Sequence, residues 1–137
     1  EVRIMAYDYT LQSSKEPGAI GPVNWIRDVL DYATTRIPNE KVWLGVHLYG
    51  YQWSRDRTVA FTYTTTESSI INSSGINNIF MEDIGEGYAE FSCDEGFLCK
   101  AYFQTPKGIQ IRRDLAKEYN IAGVAYWRLG GELDILK

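Results

Sequence analysis

Residues 41–49, Lys-Val-Trp-Leu-Gly-Val-His-Leu-Tyr, constrain the fold more than any other stretch. Val42, Leu44, Val46 and Leu48 alternate with Trp43, Gly45, His47 and Tyr49, which is the period of a strand. Neither set is charged after Lys41. A strand with two buried faces belongs to a parallel sheet covered by helices. A helix precedes it over residues 23–36, where Ile26, Leu30, Ala33 and Ile37 form one apolar face. Either Pro22 opens that helix or Asn24 caps it, and Pro38 ends it. Before the helix, Val2, Ile4 and Ala6 alternate with Arg3, Met5 and Tyr7 and run onto Asp8 and Tyr9. Strand, helix, strand in that order predicts an α/β unit. An acid at the carboxyl end of the first strand stands where ligands collect in such folds.

The rest of the chain divides by character. Residues 10–22 are polar, with two Pro-Gly or Gly-Pro pairs, and form a loop bordering the Tyr7-Asp8-Tyr9 edge. Residues 54–107 read as a small α+β insertion, too long for an ordinary strand-to-helix connection. Within it, Val59–Tyr63 is a candidate strand, Glu67–Ser74 a short helix and Gly75–Asn78 a turn. Gly87–Cys93 and Phe97–Phe103 flank Asp94-Glu95-Gly96 as a hairpin. Tyr88, Phe91, Phe97, Tyr102 and Phe103 form its core or line a wall of the site. A second helix follows over 108–119, with Ile111, Leu115 and Tyr119 on one face, widened by Ile109 and Ala116. Arg112, Arg113, Asp114, Lys117 and Glu118 make its solvated side. Residues 121–127 are a buried strand ending in Tyr126-Trp127.

Composition excludes several classes. A net charge of -4 without a basic block argues against nucleic acid, and no apolar run reaches spanning length, which argues against a membrane partner. Zinc is unsupported, since His47 is the only histidine and there are only two cysteines; no metal or cofactor is expected. His47, mid-strand with no neighbouring acid, reads as a packed core residue. Cys93 and Cys99 either bridge a hairpin, which suits an exported protein, or are two buried thiols. Ten tyrosines and four tryptophans suit sugar stacking and ordinary cores equally.

Three strand ends carry a resemblance. Met5-x-Tyr7-Asp8 resembles the sixth-strand motif of the family-18 glycoside hydrolases, the chitinase-like (β/α)8 barrels. Pro22-Val23-Asn24-Trp25 resembles the opening of the long helix that follows. Leu44 to Trp53 resembles the seventh strand, whose Tyr-Gly pair is here Tyr49-Gly50. Many chitinases carry Arg two positions after that Tyr; this chain has Tyr51, which resembles the spore-cortex, peptidoglycan-directed branch. Residues 118–127 resemble the eighth strand and its approach, ending on Trp127. The resemblance covers essentially all of residues 1–137. It implies the last three βα units of a TIM barrel, with the insertion before the final strand.

What the resemblance implies about chemistry is hydrolysis of β-linked N-acetylglucosamine glycans, chitin or peptidoglycan, by substrate-assisted catalysis. Tyr7 would hold the substrate acetamide, Asp8 would bind sugar hydroxyls, Met5 and Trp127 would shape the pocket, and Tyr49 would line it. The family's acid lies in an Asp-x-x-Asp-x-Glu pattern, which this chain does not contain. The chain alone is therefore expected to be inactive, and its open sheet edges are expected to self-associate. Because it opens directly on a strand, sequence is expected ahead of Glu1. A secreted, cell-envelope or spore location follows from the same resemblance. Two other readings stand beside it: a non-catalytic glycan-binding relative, and an unrelated three-layer α/β domain whose aromatics are core.

Overall fold

The computed structural model of the chain describes residues 1–54, 58–62, 77–93, 96–128 and 136. The elements are β1 (Val2–Ile4), α1 (Val23–Thr34), β2 (Val42–His47), β3 (Tyr49–Trp53), β4 (Thr58–Thr62), β5 (Asn77–Met81), β6 (Glu86–Cys93), β7 (Phe97–Phe103), α2 (Pro106–Glu118) and β8 (Gly123–Trp127). The helix expected over 67–74 and the turn residues Asp94 and Glu95 lie outside the described residues. Asn77 and Asn78, expected in a turn, begin β5 because they pair with Glu90 and Ala89 of β6.

Two sheets result. The first is parallel, in the order β1-β2-β8. Ile4 pairs with Leu44, and His47 pairs with Trp127. Val42, Leu44 and Val46 of β2, with Leu48 just beyond, are buried with Ile26 and Leu30 of α1 and Ile109 and Leu115 of α2. Gly45 and His47 on the opposite face are buried as well, so β2 has the two buried faces its sequence predicts. The parallel strands put all three carboxyl ends on one edge.

The expected strand over 41–49 breaks at Leu48. Its amide N–H still donates to Trp127 O at 2.7 Å, extending the first sheet by one bond. The chain then leaves that sheet, and Tyr49 starts β3 of the second. There the order is β4-β3-β7-β6-β5, all antiparallel. One face of this sheet buries Ala89, Phe91, Cys99, Ala101 and Phe103. Tyr51, Tyr102 and Tyr88 stand side by side on the other, as the register Tyr51–Tyr102 and Tyr88–Tyr102 requires. Cys93 and Cys99 form a disulfide across the β6–β7 hairpin, with Cα atoms 5.8 Å apart, so the bridge is the reading that holds.

Pro22 occupies the cap position of α1 without a side-chain bond, and Asn24 lies inside the helix. Thr105 caps α2: its Oγ1 accepts the Gly108 N–H at 2.9 Å, with Pro106 in the first turn. Arg27 clamps α1 to α2 by donating to both Glu118 oxygens, at 2.6 and 2.9 Å. The buried face of α2 is Gly108, Ile109, Arg112, Leu115 and Ala116. That corrects the expectation that Arg112 is solvated: it is 0% exposed. Ile111, expected in the apolar stripe, is only half-buried. The stripe is rotated toward Arg112 because the guanidinium meets buried carbonyls and a carboxylate.

Gly108 lies where α2 and the β5–β6 turn come closest. A Cβ there would stand 2.2 Å from Gln104 Oε1 and 2.6 Å from Gly85 O. Glycine-to-alanine in a helix normally gains roughly 0.5–1 kcal/mol. Overpacking against backbone costs roughly 1–3 kcal/mol and wins here. Gly108→Ala should therefore lower stability by about 1–2 kcal/mol, read as a reduced urea midpoint at unchanged m-value.

Candidate functional site

The carboxyl edge of the first sheet carries the candidate site. Asp8 follows β1 with φ +59°, a left-handed conformation that few non-glycine residues adopt. Its carboxylate meets two phenols from β3. Tyr51 Oη donates to Asp8 Oδ1 at 2.7 Å, and Tyr49 Oη donates to the same oxygen. Successive residues of one face of β3, Tyr49 and Tyr51, thus converge on one acid. The Tyr7 ring meets the Tyr49 ring edge-on, with centroids 6.3 Å apart.

Trp127 ends β8 opposite His47 in the register, on the same edge, and is 54% exposed. Among the described residues it makes no hydrogen bond or ring stack with Tyr7, Asp8 or Tyr49. Met5 is 71% exposed at the end of β1. Of the five residues singled out from the sequence, Tyr7, Asp8 and Tyr49 therefore meet directly, whereas Met5 and Trp127 share their edge. Tyr51, named only as a departure from the chitinase pattern, is the second donor to Asp8. Beyond it the rings continue: Tyr51 to Trp53 at 5.9 Å, Trp53 to Tyr102 at 6.2 Å and Tyr102 to Tyr88 at 4.9 Å.

No family model matches the chain. Over 134 residues it is 28% identical to the cortical fragment-lytic enzyme of Bacillus subtilis, covering 94% of this chain and 31% of that one. The spore cortex-lytic enzyme SleL of Bacillus cereus superposes with a TM-score of 0.87 at 25% identity, over 93% of this chain and 30% of that one. This chain is homologous to the chitinase-like, cortex-lytic glycosylases. A chitinase from Chromobacterium violaceum shares the fold, with a TM-score of 0.89 at 24% identity over 97% of this chain and 42% of that one. The chain thus spans about a third of the length of the curated relative it matches.

In this glycosylase relative the phenols are held in their neutral, donating form. Burial raises the Tyr49 hydroxyl far above its ordinary value, and its bond to Asp8 adds to that. Burial and the Asp8 bond push Tyr51 up to about 12. Burial, then the Asp8 charge, raises Tyr7. Deprotonating any of them would place two negative charges together.

Behind the edge lies a buried polar cluster that the sequence reading missed. Glu86, at the start of β6, is 0% exposed. Its Oε1 accepts the Gly21 N–H at 2.6 Å and its Oε2 accepts the Ile20 N–H at 3.0 Å. Arg112 donates to Glu86 Oε1 at 3.2 Å, to Gly85 O at 2.7 Å, to Gly108 O at 2.9 Å and to Gly21 O. Burial raises the Glu86 carboxyl against the pull of Arg112 and the two amides, and burial lowers Arg112. His47 completes the cluster, with Nε2 3.5 Å from Glu86 Oε1. Neither ring nitrogen has a hydrogen-bond partner among the described residues. Burial first, then the Arg112 charge, holds its pKa well below 6.5. The imidazole is neutral, so its approach to Glu86 is not an ion pair, and the core reading of His47 agrees with its burial.

Two outcomes follow from these shifts. The unfolded imidazole takes up a proton near pH 6.5, but the folded one does so only at lower pH. Below 6.5 the unfolded state binds more protons, so stability falls as pH drops, by at most about 1.4 kcal/mol per unit. Glu86, with its raised pKa, contributes in the opposite sense above the ordinary carboxyl range. The difference between parent and His47→Gln unfolding curves at pH 7.5 and 5.5 isolates the imidazole, and the variant should have the shallower acid dependence. Tyr51→Phe removes one of the two bonds to a carboxylate. It should destabilise by roughly 1.5–3 kcal/mol at neutral pH and flatten the loss of stability between pH 10 and 12, measured by denaturant titration.

Proposed function

We propose that this chain forms the last three βα units, strands six to eight, of a (β/α)8 glycosidase barrel acting on β-linked N-acetylglucosamine glycans. The supporting observation is the carboxyl edge itself, where Asp8 is gripped by Tyr49 and Tyr51 beside Tyr7. A carboxylate oriented by two neutral phenols is an acceptor for sugar hydroxyls, and the solvent-facing Trp127 face suits a sugar ring. The second sheet, with residues 54–107, is an insertion walling the cleft.

The reaction we assign is substrate-assisted hydrolysis. Tyr7, kept protonated by burial, donates to the acetamide of the bound sugar and holds its oxygen toward the anomeric carbon. Asp8 fixes the ring through its hydroxyls, Tyr49 lines the pocket, and Met5 and Trp127 shape it. The glycosidic oxygen leaves with a proton from an acid that this chain does not carry, since the Asp-x-x-Asp-x-Glu spacing is absent. The chain by itself is therefore inactive, and the outer edges of β1 and β8, unpaired among the described residues, favour self-association. The glycan is that of the spore cortex or cell envelope, as the name of the cortical fragment-lytic relative suggests. A second reading is a glycan-binding relative that lacks the acid even at full length. An acid motif encoded upstream of Glu1 would decide against it.

The test is titration of the chain with N-acetylglucosamine tetramer, followed by calorimetry and by product analysis. Binding without product release is expected. Asp8→Ala and Trp127→Ala should each weaken binding by about tenfold or more. Release of shorter oligomers, or affinity unchanged in both variants, would overturn the proposal.

A further inference from the structure

We propose that Glu86 is a positioning residue for Asp8, acting at a distance through the segment Ala19–Gly21; the functional part of this inference rests on the glycan reading of Asp8. Glu86 does not touch Asp8. It holds the backbone N–H groups of Ile20 and Gly21 with its two oxygens, and that segment meets the chain on both sides of Asp8. On the far side, Ile20 O accepts the Tyr9 N–H at 2.8 Å and Ala19 O accepts the Thr10 N–H at 3.2 Å. On the near side, Gly21 lies so close to Ala6 that a Cβ there would stand 3.0 Å from Ala6 O. Ile20, wholly buried, packs with Tyr51 and Trp53, and Tyr7 and Tyr49 close over the same cluster. The acid is thus framed by one short segment, and that segment is anchored by one buried carboxylate.

The anchor is itself rigid. Arg112 occupies both Glu86 Oε1 and the carbonyl of Gly21, so the carboxylate and the segment it holds share a single guanidinium. The same Arg112 reaches Gly85 O and Gly108 O, which ties β6 and α2 to the frame. A left-handed backbone at Asp8 persists only where its surroundings over-determine it. The Glu86-held segment supplies that determination, and without it the Asp8 oxygen facing the ligand loses its fixed direction.

The experiment compares parent, Glu86→Gln and Asp8→Asn at a temperature where each is folded. Amide exchange is read by NMR and affinity by titration with N-acetylglucosamine tetramer. In Glu86→Gln, protection of the Tyr9 and Thr10 amides should fall by about tenfold, while Ala89 and Ala101, in the second-sheet ladder, are unchanged. Affinity should fall toward that of Asp8→Asn. Unaltered Tyr9 and Thr10 protection, or parent-like affinity despite their loss, would overturn the proposal. Should Glu86→Gln not fold, the parent chain decides by reciprocity: tetramer binding must slow exchange at Ile20 and Gly21, and a bound state that leaves those amides unaffected overturns it. If the parent binds no tetramer, the glycan reading fails, and the exchange data on Glu86→Gln still decide whether Glu86 frames Asp8.

Discussion

One guanidinium ties the second sheet to the helix that covers the first. Arg112 leaves α2, which covers the parallel sheet, and its donors end on Gly21 before α1, on Gly85 and Glu86 at the start of β6, and on Gly108 in its own helix. A buried charge is tolerable only when its donors are filled and an opposite charge stands close. Arg112 fills the donors of both terminal nitrogens and stands beside Glu86, while its buried Nε–H has no hydrogen-bond partner among the described residues. Lys would place a single nitrogen on a flexible stem where a planar fork is needed. The glycines around it are part of the same constraint: Gly85 takes φ +74°, and a Cβ on Gly108 would collide with Gly85 O.

This frame explains why the candidate site needs the second sheet. Asp8 belongs to the first sheet's edge, yet its hydrogen-bond donors come from β3, the second sheet's strand nearest that edge. Leu48 is the single residue between the two sheets, and its backbone still pairs with Trp127 while Tyr49 already pairs with Thr62 of β4. The switch from parallel to antiparallel pairing thus happens within one residue of the site. Two phenols in place of a cation leave the acid's charge uncompensated by them while fixing one of its oxygens. That suits an acceptor for neutral hydroxyl groups better than it suits an ion-pair partner.

Much of this was legible in the residues. The double burial of β2 is written in its unbroken apolar run, the α1 face in Ile26, Leu30 and Ala33, and β7 in the strand-like run from Phe97 to Phe103. The meeting of Tyr7, Asp8 and Tyr49 followed from placing each at a strand end. Arg112 was assigned to the solvated side of its helix because it is charged, and nothing around Glu86 in the sequence marks it as buried. Their burial is set by partners far away in sequence, backbone carbonyls and amides that carry no side-chain signature. One faint signal existed: Arg112 stands at i+3 from Ile109 and three before Leu115, within the angular width of the apolar face. Tyr51 was visible only as a departure from a pattern, and its role needed the antiparallel register of β3 to be seen.

The pairing of β2 with β8 spans the entire second sheet, since Trp43 lies beside Gly123. Such a contact closes a long loop before it gains anything, which slows assembly of the parallel sheet. The strands from Tyr49 to Phe103 pair mostly with near neighbours along the chain, and a disulfide pins their central hairpin. Once paired, they would shorten the effective span between β2 and β8. By loop closure alone, forming the second sheet first would lower the entropic cost of pairing β2 with β8.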